Sequence, residues 1–460
     1  MAARDLTAGP VPKHLVSLWI PMLVAMTLQS VYAFVNLVFV TGLGDRAVSG
    51  LVITIQAFFI ILAIGQVVAQ TALAEIAQAY GKNQIGAARS ALTTYSLVAL
   101  VIGVAASFLA WWGAEPYIAL FTDDPEVYRE GVAYFVATAP TFLLQLMIIV
   151  FATAARGSGD FVTPMRIMVM SVVLNAALDP ILMFALDMGI AGAGWATVIA
   201  QTVACLVYLW RLRARPDDTR SLAGGRPRFT REVFARLGPR GVPAGIQFFL
   251  IFVLLGVVLR GMKPFGPDWT GAAGAGFRVM QQTWLPLITL ASAAAAMAGQ
   301  NFGARQLDRV AATGRTALRW GLYYGGAATV VVIVAAPLLA RLAASGEGQL
   351  GNTVVYFHWS AAMLIAAGIT YIPAFMLQAM GRSFFPMLAA GLRVAIVAIV
   401  TLGLAPANGW GPEVIFAVTT ATAFLEGGLG LLILRRFLRS QPRPASAAVA
   451  APNDAVANEF

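Results

Sequence analysis

The chain has 460 residues, of which 59% are hydrophobic and only 11% charged. A soluble globular surface needs about twice that share of charge, so a soluble domain is excluded and a polytopic membrane protein is expected. The formal net charge of +10 sits in the breaks between apolar runs, a placement that orients a membrane protein rather than binding nucleic acid. The single cysteine, Cys205, excludes an internal disulfide and any Cys/His metal cluster. Only 3 of the 31 basic residues are Lys, which points to a GC-rich bacterial genome.

Apolar runs of membrane-spanning length, about 20 residues, fall at 15–40, 47–72, 91–112, 131–153, 164–187, 190–210, 238–260, 272–298, 314–340, 352–379, 384–405 and 412–434. The fold expected is therefore all-α with twelve transmembrane helices. The connecting segments alternate in charge. One set carries Lys82 and Arg89, then Arg156 and Arg166, the arginines of 211–240, then Arg305, Arg309 and Arg315, and Arg382. The other holds Glu115, Asp123, Asp124, Glu126, Glu347 and Glu413. The positive-inside rule places the first set and both termini in the cytoplasm.

The second half repeats the first. Gly81 of Gln78-Ala79-Tyr80-Gly81 and Gly303 of Gln300-Asn301-Phe302-Gly303 are 222 residues apart (303 − 81). The same offset links Pro21 to Pro243, Pro164 to Pro386, Gly44 to Gly266 and Gly159 to Gly381. Six spans per half leave both halves in one orientation. Two six-helix lobes related by a pseudo-twofold along the membrane normal, with a cavity between them, are the design of an alternating-access transporter. The division expected is an N-lobe over 1–210, an Arg-rich cytoplasmic linker over 211–237, a C-lobe over 238–437 and a disordered Ala/Pro-rich tail over 438–460.

The chemistry centres on Pro164–Gln201. Asn175 and Asp179 lie four residues apart on one helix face. A carboxylate inside an apolar span is costly unless it faces a partner or a watery cavity, so it marks a functional site. Two readings share these residues: a coupling carboxylate, or a satisfied buried carboxyl that holds helices together. Glu426 lies deep in the last span and is a second candidate, with Arg278, the one arginine read as deep, as its possible partner. Met22, Met26, Phe34, Gln56, Gln145, Met147, Phe151, Met168 and Met183 are of types that adapt to varied ligands, and about a third are expected to line a cavity. No grouping of acids, Ser and His resembles a catalytic site, so no enzyme is expected.

Gln300-Asn301-Phe302-Gly303-Ala304, Leu174-Asn175 with Asp179-Pro180, and Gly189-Ile190-Ala191-Gly192-Ala193-Gly194-Trp195-Ala196-Thr197 resemble the multidrug and toxic compound extrusion (MATE) family, most like its prokaryotic DinF-like branch. The likeness covers about residues 14–440. It implies a cation-coupled antiporter of the bacterial inner membrane, acting as a monomer on amphipathic, cationic small molecules, with no cofactor beyond the transported H⁺ or Na⁺. It also implies a coupling site in the N-lobe, where Asn175 and Asp179 match the family's pair, and Pro21, Tyr32 and Thr197 match pocket positions. The family's acid on span 1 is replaced by Asn36, six residues before Gly42. Two further family acids are replaced by Met280 and Ile251. With one carboxylate in place of two, H⁺ is favoured over Na⁺. The coupling-cation set is thus Asp179, Asn175, Asn36, Tyr32 and Thr197; Pro21, Met26, Gln56, Arg278 and Glu426 are candidates for the cavity or its gates. The alternatives are a lipid- or oligosaccharide-type flippase and a narrow-substrate metabolite exporter.

Overall fold

The computed structural model describes residues 5–213, 225–227, 235–344 and 346–442, and among them every regular element is helical. The helices are α1 (Val11–Thr41), α2 (Asp45–Gly81), α3 (Ile85–Trp112), α4 (Ala114–Ala119), α5 (Pro125–Thr138), α6 (Thr141–Gly157), α7 (Val162–Pro180) and α8 (Gly189–Arg213). After the linker come α9 (Val242–Met262), α10 (Pro267–Gly303), α11 (Leu307–Ala343), α12 (Glu347–Ser360), α13 (Met363–Ala379), α14 (Phe384–Ile399), α15 (Ala405–Asn408) and α16 (Pro412–Ser440). Among the described residues, nine helical stretches are long and apolar enough to span a bilayer, and two bent pairs, α5–α6 and α12–α13, raise this to eleven. The twelfth long helix is α10, 37 residues, whose hydropathy is lowered by Arg278, Gln281, Gln282, Gln300 and Asn301. Eleven of the twelve expected runs fall within these stretches, and the run 164–187 passes the end of its stretch, Ala185, by two residues. The expected tail lies outside the described residues from 443 onward.

The internal repeat is written into the backbone. Helices α2 and α10, α3 and α11, α5 and α12, α6 and α13, and α7 and α14 each start 222 residues apart (for example 267 − 45). Gly44 and Gly266, which open α2 and α10, both have φ of 100°. A Cβ is rarely tolerated there, so glycine is required at both turns. Asn83 and Arg305 repeat with φ of 57° and 59°. The breaks in the two bent pairs, 44° and 48°, fall at the same offset.

Two compact units result. Unit 1 takes in Ile20–Gly245, and unit 2 takes in Asp5–Trp19 with Ile246 onward. The unit boundaries therefore depart from the sequence division at both starts. In unit 2 the N-terminal segment is tied to α10 and α11: Leu6 is fully buried, its amide donates to Gln300 Oε1 at 3.2 Å, and its carbonyl accepts from Asn301 Nδ2 at 3.2 Å and Arg309 Nη2 at 3.1 Å. The Gln-Asn pair of the repeat motif thus holds backbone. In unit 1, Leu237–Gly241 packs on α2, where Glu75 lies 3.5 Å from Arg236 and 3.6 Å from Arg240.

Small residues let the helices approach closely, as bilayer packing requires. A Cβ on Gly103 of α3 would lie 2.8 Å from Leu143 Cα, and one on Gly325 of α11 would lie 2.7 Å from the Leu364 carbonyl oxygen. These glycines are themselves repeat equivalents (325 − 103 = 222).

Candidate functional site

In unit 1, α1 and α7 bring the polar residues together. Tyr32 and Asn36 are four residues apart on α1, as are Asn175 and Asp179 on α7, so each helix presents its pair on one face. Asp179 is fully buried. Its Oδ2 accepts from the Tyr32 hydroxyl at 2.9 Å and from Asn36 Nδ2 at 3.0 Å, and its Oδ1 accepts from Asn175 Nδ2 at 3.1 Å. Asn36 Nδ2 also donates to the Tyr32 oxygen at 3.3 Å.

All three partners of the carboxylate are neutral donors. Charge-assisted bonds of this type contribute about 1.5–3 kcal/mol each, which offsets the cost of burying the charge. The arrangement suits an ionised Asp179. A protonated Asp179 must itself donate, so one amide or the phenol has to turn and offer a lone pair. A bare cation asks for the opposite rotation, with the Asn36 and Asn175 carbonyl oxygens turned inward. Either event changes which groups donate and which accept between α1 and α7.

Tyr32 and Asn175 also line a cavity of about 400 Å³ in unit 1, with Met22, Met26, Gln29, Gln145, Met168 and Thr197 among its walls. Asp179 stands one residue layer behind this wall. Of the Met, Phe and Gln candidates, the side chain of Phe34 lies outside those described, and four of the other eight reach the cavity: Met22, Met26, Gln145 and Met168. Thr197 lines it, but its hydroxyl donates to the Ala193 carbonyl at 3.0 Å rather than to Asp179. Pro21 is half-buried beside Met22, and the cavity wall begins at Met22. Gln56 is exposed on α2 and is not among the walls of this cavity. Arg156, read from sequence as a loop residue, lies in the last turn of α6 and lines the cavity, its Nη2 donating to Thr153 Oγ1 at 2.6 Å.

The pairing expected of Arg278 and Glu426 is overturned. Arg278 is exposed on α10. Glu426 is buried and pairs instead with Arg393 of α14, whose Nη1 lies 3.2 Å from Glu426 Oε2. Sequence reading missed Arg393 because one arginine in an apolar run does not say which face it occupies. Both residues line a second cavity, of about 100 Å³, wholly within unit 2. The two cavities are repeat equivalents: Gln247, Ala367, Thr419 and Ala423 of the second stand 222 residues after Ala25, Gln145, Thr197 and Gln201 of the first (for example 419 − 197). Their polar groups differ. Tyr32, Asn36, Asn175 and Asp179 correspond to Leu254, Val258, Val397 and Thr401, whereas Arg393 and Glu426 correspond to Ser171 and Ala204. Ile251 lines the second cavity, and Met280 is fully buried beside it in the core.

An all-helical membrane protein built from two repeated units, each enclosing a polar-lined cavity, is of the transporter class. The MatE family model matches residues 21–181 and 243–402, one stretch in each half, and the chain belongs to that family of MATE transporters. It is 27% identical to "Probable multidrug resistance protein YpnP" of Bacillus subtilis (strain 168), over 81% of this chain and 83% of the relative. It is 25% identical to "Multidrug export protein MepA" of Staphylococcus saprophyticus, over 62% of this chain and 63% of the relative. Its fold matches "Crystal structure of MATE in complex with MaD5" with a TM-score of 0.88 at 18% identity, over 96% of this chain and 99% of that one. It also matches "Outward-facing conformation of a multidrug resistance MATE family transporter of the MOP superfamily" with a TM-score of 0.86 at 18% identity, over 95% of this chain and 97% of that one.

Proposed function

We propose that this protein is a multidrug antiporter of a bacterial inner membrane that exports amphipathic, cationic small molecules in exchange for H⁺, with Asp179 as the coupling carboxylate. The observation that carries this reading is the fully buried Asp179, held by three neutral donors directly behind the wall of a Met- and Gln-lined cavity. The names of the relatives support the export of drugs.

In this mechanism the ionised carboxylate favours a cation in the cavity, and the donors point at Asp179. On the outer side a proton neutralises Asp179. The attraction for the cation is lost, and the Tyr32–Asn36–Asn175 network turns to accept the new O–H. On the inner side the proton leaves and substrate binds again. H⁺ is preferred to Na⁺ because Asn36 supplies no second negative charge to a cation shell. Both termini lie in the cytoplasm on the distribution of arginines, and the monomer is the working unit. Arg156 in the same cavity favours a second reading, a narrow-substrate exporter whose ligand carries an acceptor as well as a cation.

Transport of a cationic dye into inverted vesicles, driven separately by a pH gradient and by a Na⁺ gradient, tests the proposal. Accumulation driven by the pH gradient alone supports it. Accumulation driven only by Na⁺ replaces H⁺ as the coupling ion, and none under either gradient rejects antiport of cations.

A further inference from the structure

The second cavity has no part in the mechanism above, and here the acid and the guanidinium share one cavity wall and pair with each other. Its charged side chains are Arg393 and Glu426, and its other titratable groups are Tyr356 and Tyr371. The guanidinium is only partly used. Glu426 takes one N–H, from Nη1 at 3.2 Å, and the Thr419 carbonyl takes one from Nη2 at 3.3 Å. Arg393 Nε is buried with no acceptor. So is Trp284 Nε1, on the same cavity wall. The remaining walls are largely apolar, with aliphatic side chains such as Leu250, Leu254 and Val394 beside two aromatic pairs: Phe277 stacks edge-on to Trp284 at 5.5 Å between centroids, and Tyr356 edge-on to Phe416 at 5.1 Å.

Unused donors on a guanidinium and an indole, in a largely apolar cavity that carries two aromatic pairs, select a ligand that brings an acceptor and a ring. A cation is disfavoured, because Arg393 repels it and Glu426 is already engaged. A carboxylate matches the guanidinium fork, which prefers two parallel bonds to the single one that Glu426 makes. Two carboxylates against one guanidinium would leave a net negative charge in a low-dielectric site, so one of them is neutralised.

We infer that the unit 2 cavity is a binding site for aromatic monocarboxylates, in which the ligand carboxylate replaces Glu426 on Arg393 and Glu426 takes up a proton from water as it is displaced. The exchange is balanced: the Arg393–Glu426 pair gives way to an Arg393–ligand pair, and the neutral Glu426 acid donates within the cavity. The net charge of the site is unchanged, so one proton enters with each carboxylate. This inference stands apart from the role of Asp179.

The test is calorimetric titration of the purified full-length protein with benzoate, and with benzylamine as the ring-matched cation. It is run at about pH 6 and about pH 8 in buffers of different ionisation enthalpy. Saturable benzoate binding, tighter by about tenfold or more than that of benzylamine and stronger at the lower pH, is expected, with proton uptake. The Arg393→Gln/Glu426→Gln double variant keeps two neutral partners for each other and is expected to lose benzoate binding while melting as wild type does. Glu426→Gln alone is expected to bind benzoate without proton uptake, which keeps the test decisive if the double variant fails to fold. Asp179→Asn is expected to bind benzoate as wild type does. Absence of benzoate binding to wild type, equal binding of benzylamine, or undiminished proton uptake in Glu426→Gln would overturn the inference.

Discussion

The Tyr32 hydroxyl donates to Asp179 Oδ2 at 2.9 Å and accepts from Asn36 Nδ2 at 3.3 Å, so one phenol links α1 to the carboxylate of α7 and to its neighbour on α1. Removing it leaves the other two donors of Asp179 in place. Tyr32→Phe is therefore expected to fold, to cost about 1–3 kcal/mol from the lost charge-assisted bond, and to slow dye export at a fixed pH gradient. Melting curves and initial transport rates check this. A variant that transports at the wild-type rate removes Tyr32 from the coupling network.

Asn36→Asp would set a second carboxylate where Asn36 Nδ2 now lies 3.0 Å from Asp179 Oδ2. Two acids that close share a proton or a cation. The variant is expected to gain melting temperature on addition of Na⁺, whereas wild type does not respond. An identical Na⁺ response in both would count against the single-carboxylate argument for H⁺.

Gly103 and Gly325 occupy equivalent tight crossings in the two units. A methyl group at either meets the backbone of the facing helix, at Leu143 or Leu364, and backbone does not yield as a side chain does. Gly103→Ala and Gly325→Ala are each expected to destabilise by about 1–3 kcal/mol, read as a lower melting temperature in detergent. Melting at the wild-type temperature would show that these crossings relax.

Asp124 caps α5, its Oδ1 accepting from the amides of Glu126 at 2.8 Å and Val127 at 3.3 Å. These bonds, with Arg46 nearby, hold its carboxyl below the usual carboxylate range. A lowered folded value means that the stabilisation is present above the ordinary carboxylate value and fades as pH falls through the folded one. Asp124→Ala is expected to lower the melting temperature at neutral pH and to make little difference in strong acid. A pH-independent difference would assign the effect to packing.

The spans, the repeat and the pairing of Asn175 with Asp179 are legible in the sequence because each rests on local information, whereas the place of Tyr32 and Asn36 beside them is implied by the family resemblance. Twenty apolar residues declare a span, a fixed offset declares a repeat, and a spacing of four puts two polar groups on one helix face. The Arg393–Glu426 pair is not legible in this way. Its members lie 33 residues apart on different helices. A helix that is apolar all round gives no hint of which face turns inward, and Arg278 and Gln56, both exposed, line neither of the two cavities. Arg156 escaped because α6 extends past the apolar run to Gly157. The association of Asp5–Trp19 with unit 2 depends on Gln300, Asn301 and Arg309, almost three hundred residues away.

The central claim is that Asp179 exchanges its proton for the substrate. Proton release from purified protein in weak buffer, followed with a pH-sensitive dye as a cationic substrate is added, measures that exchange directly. Release of about one proton per substrate bound is predicted for wild type at a pH low enough to protonate Asp179, and none for Asp179→Asn. Equal release from the two proteins, or substrate binding by wild type with no proton released at any pH, would contradict it.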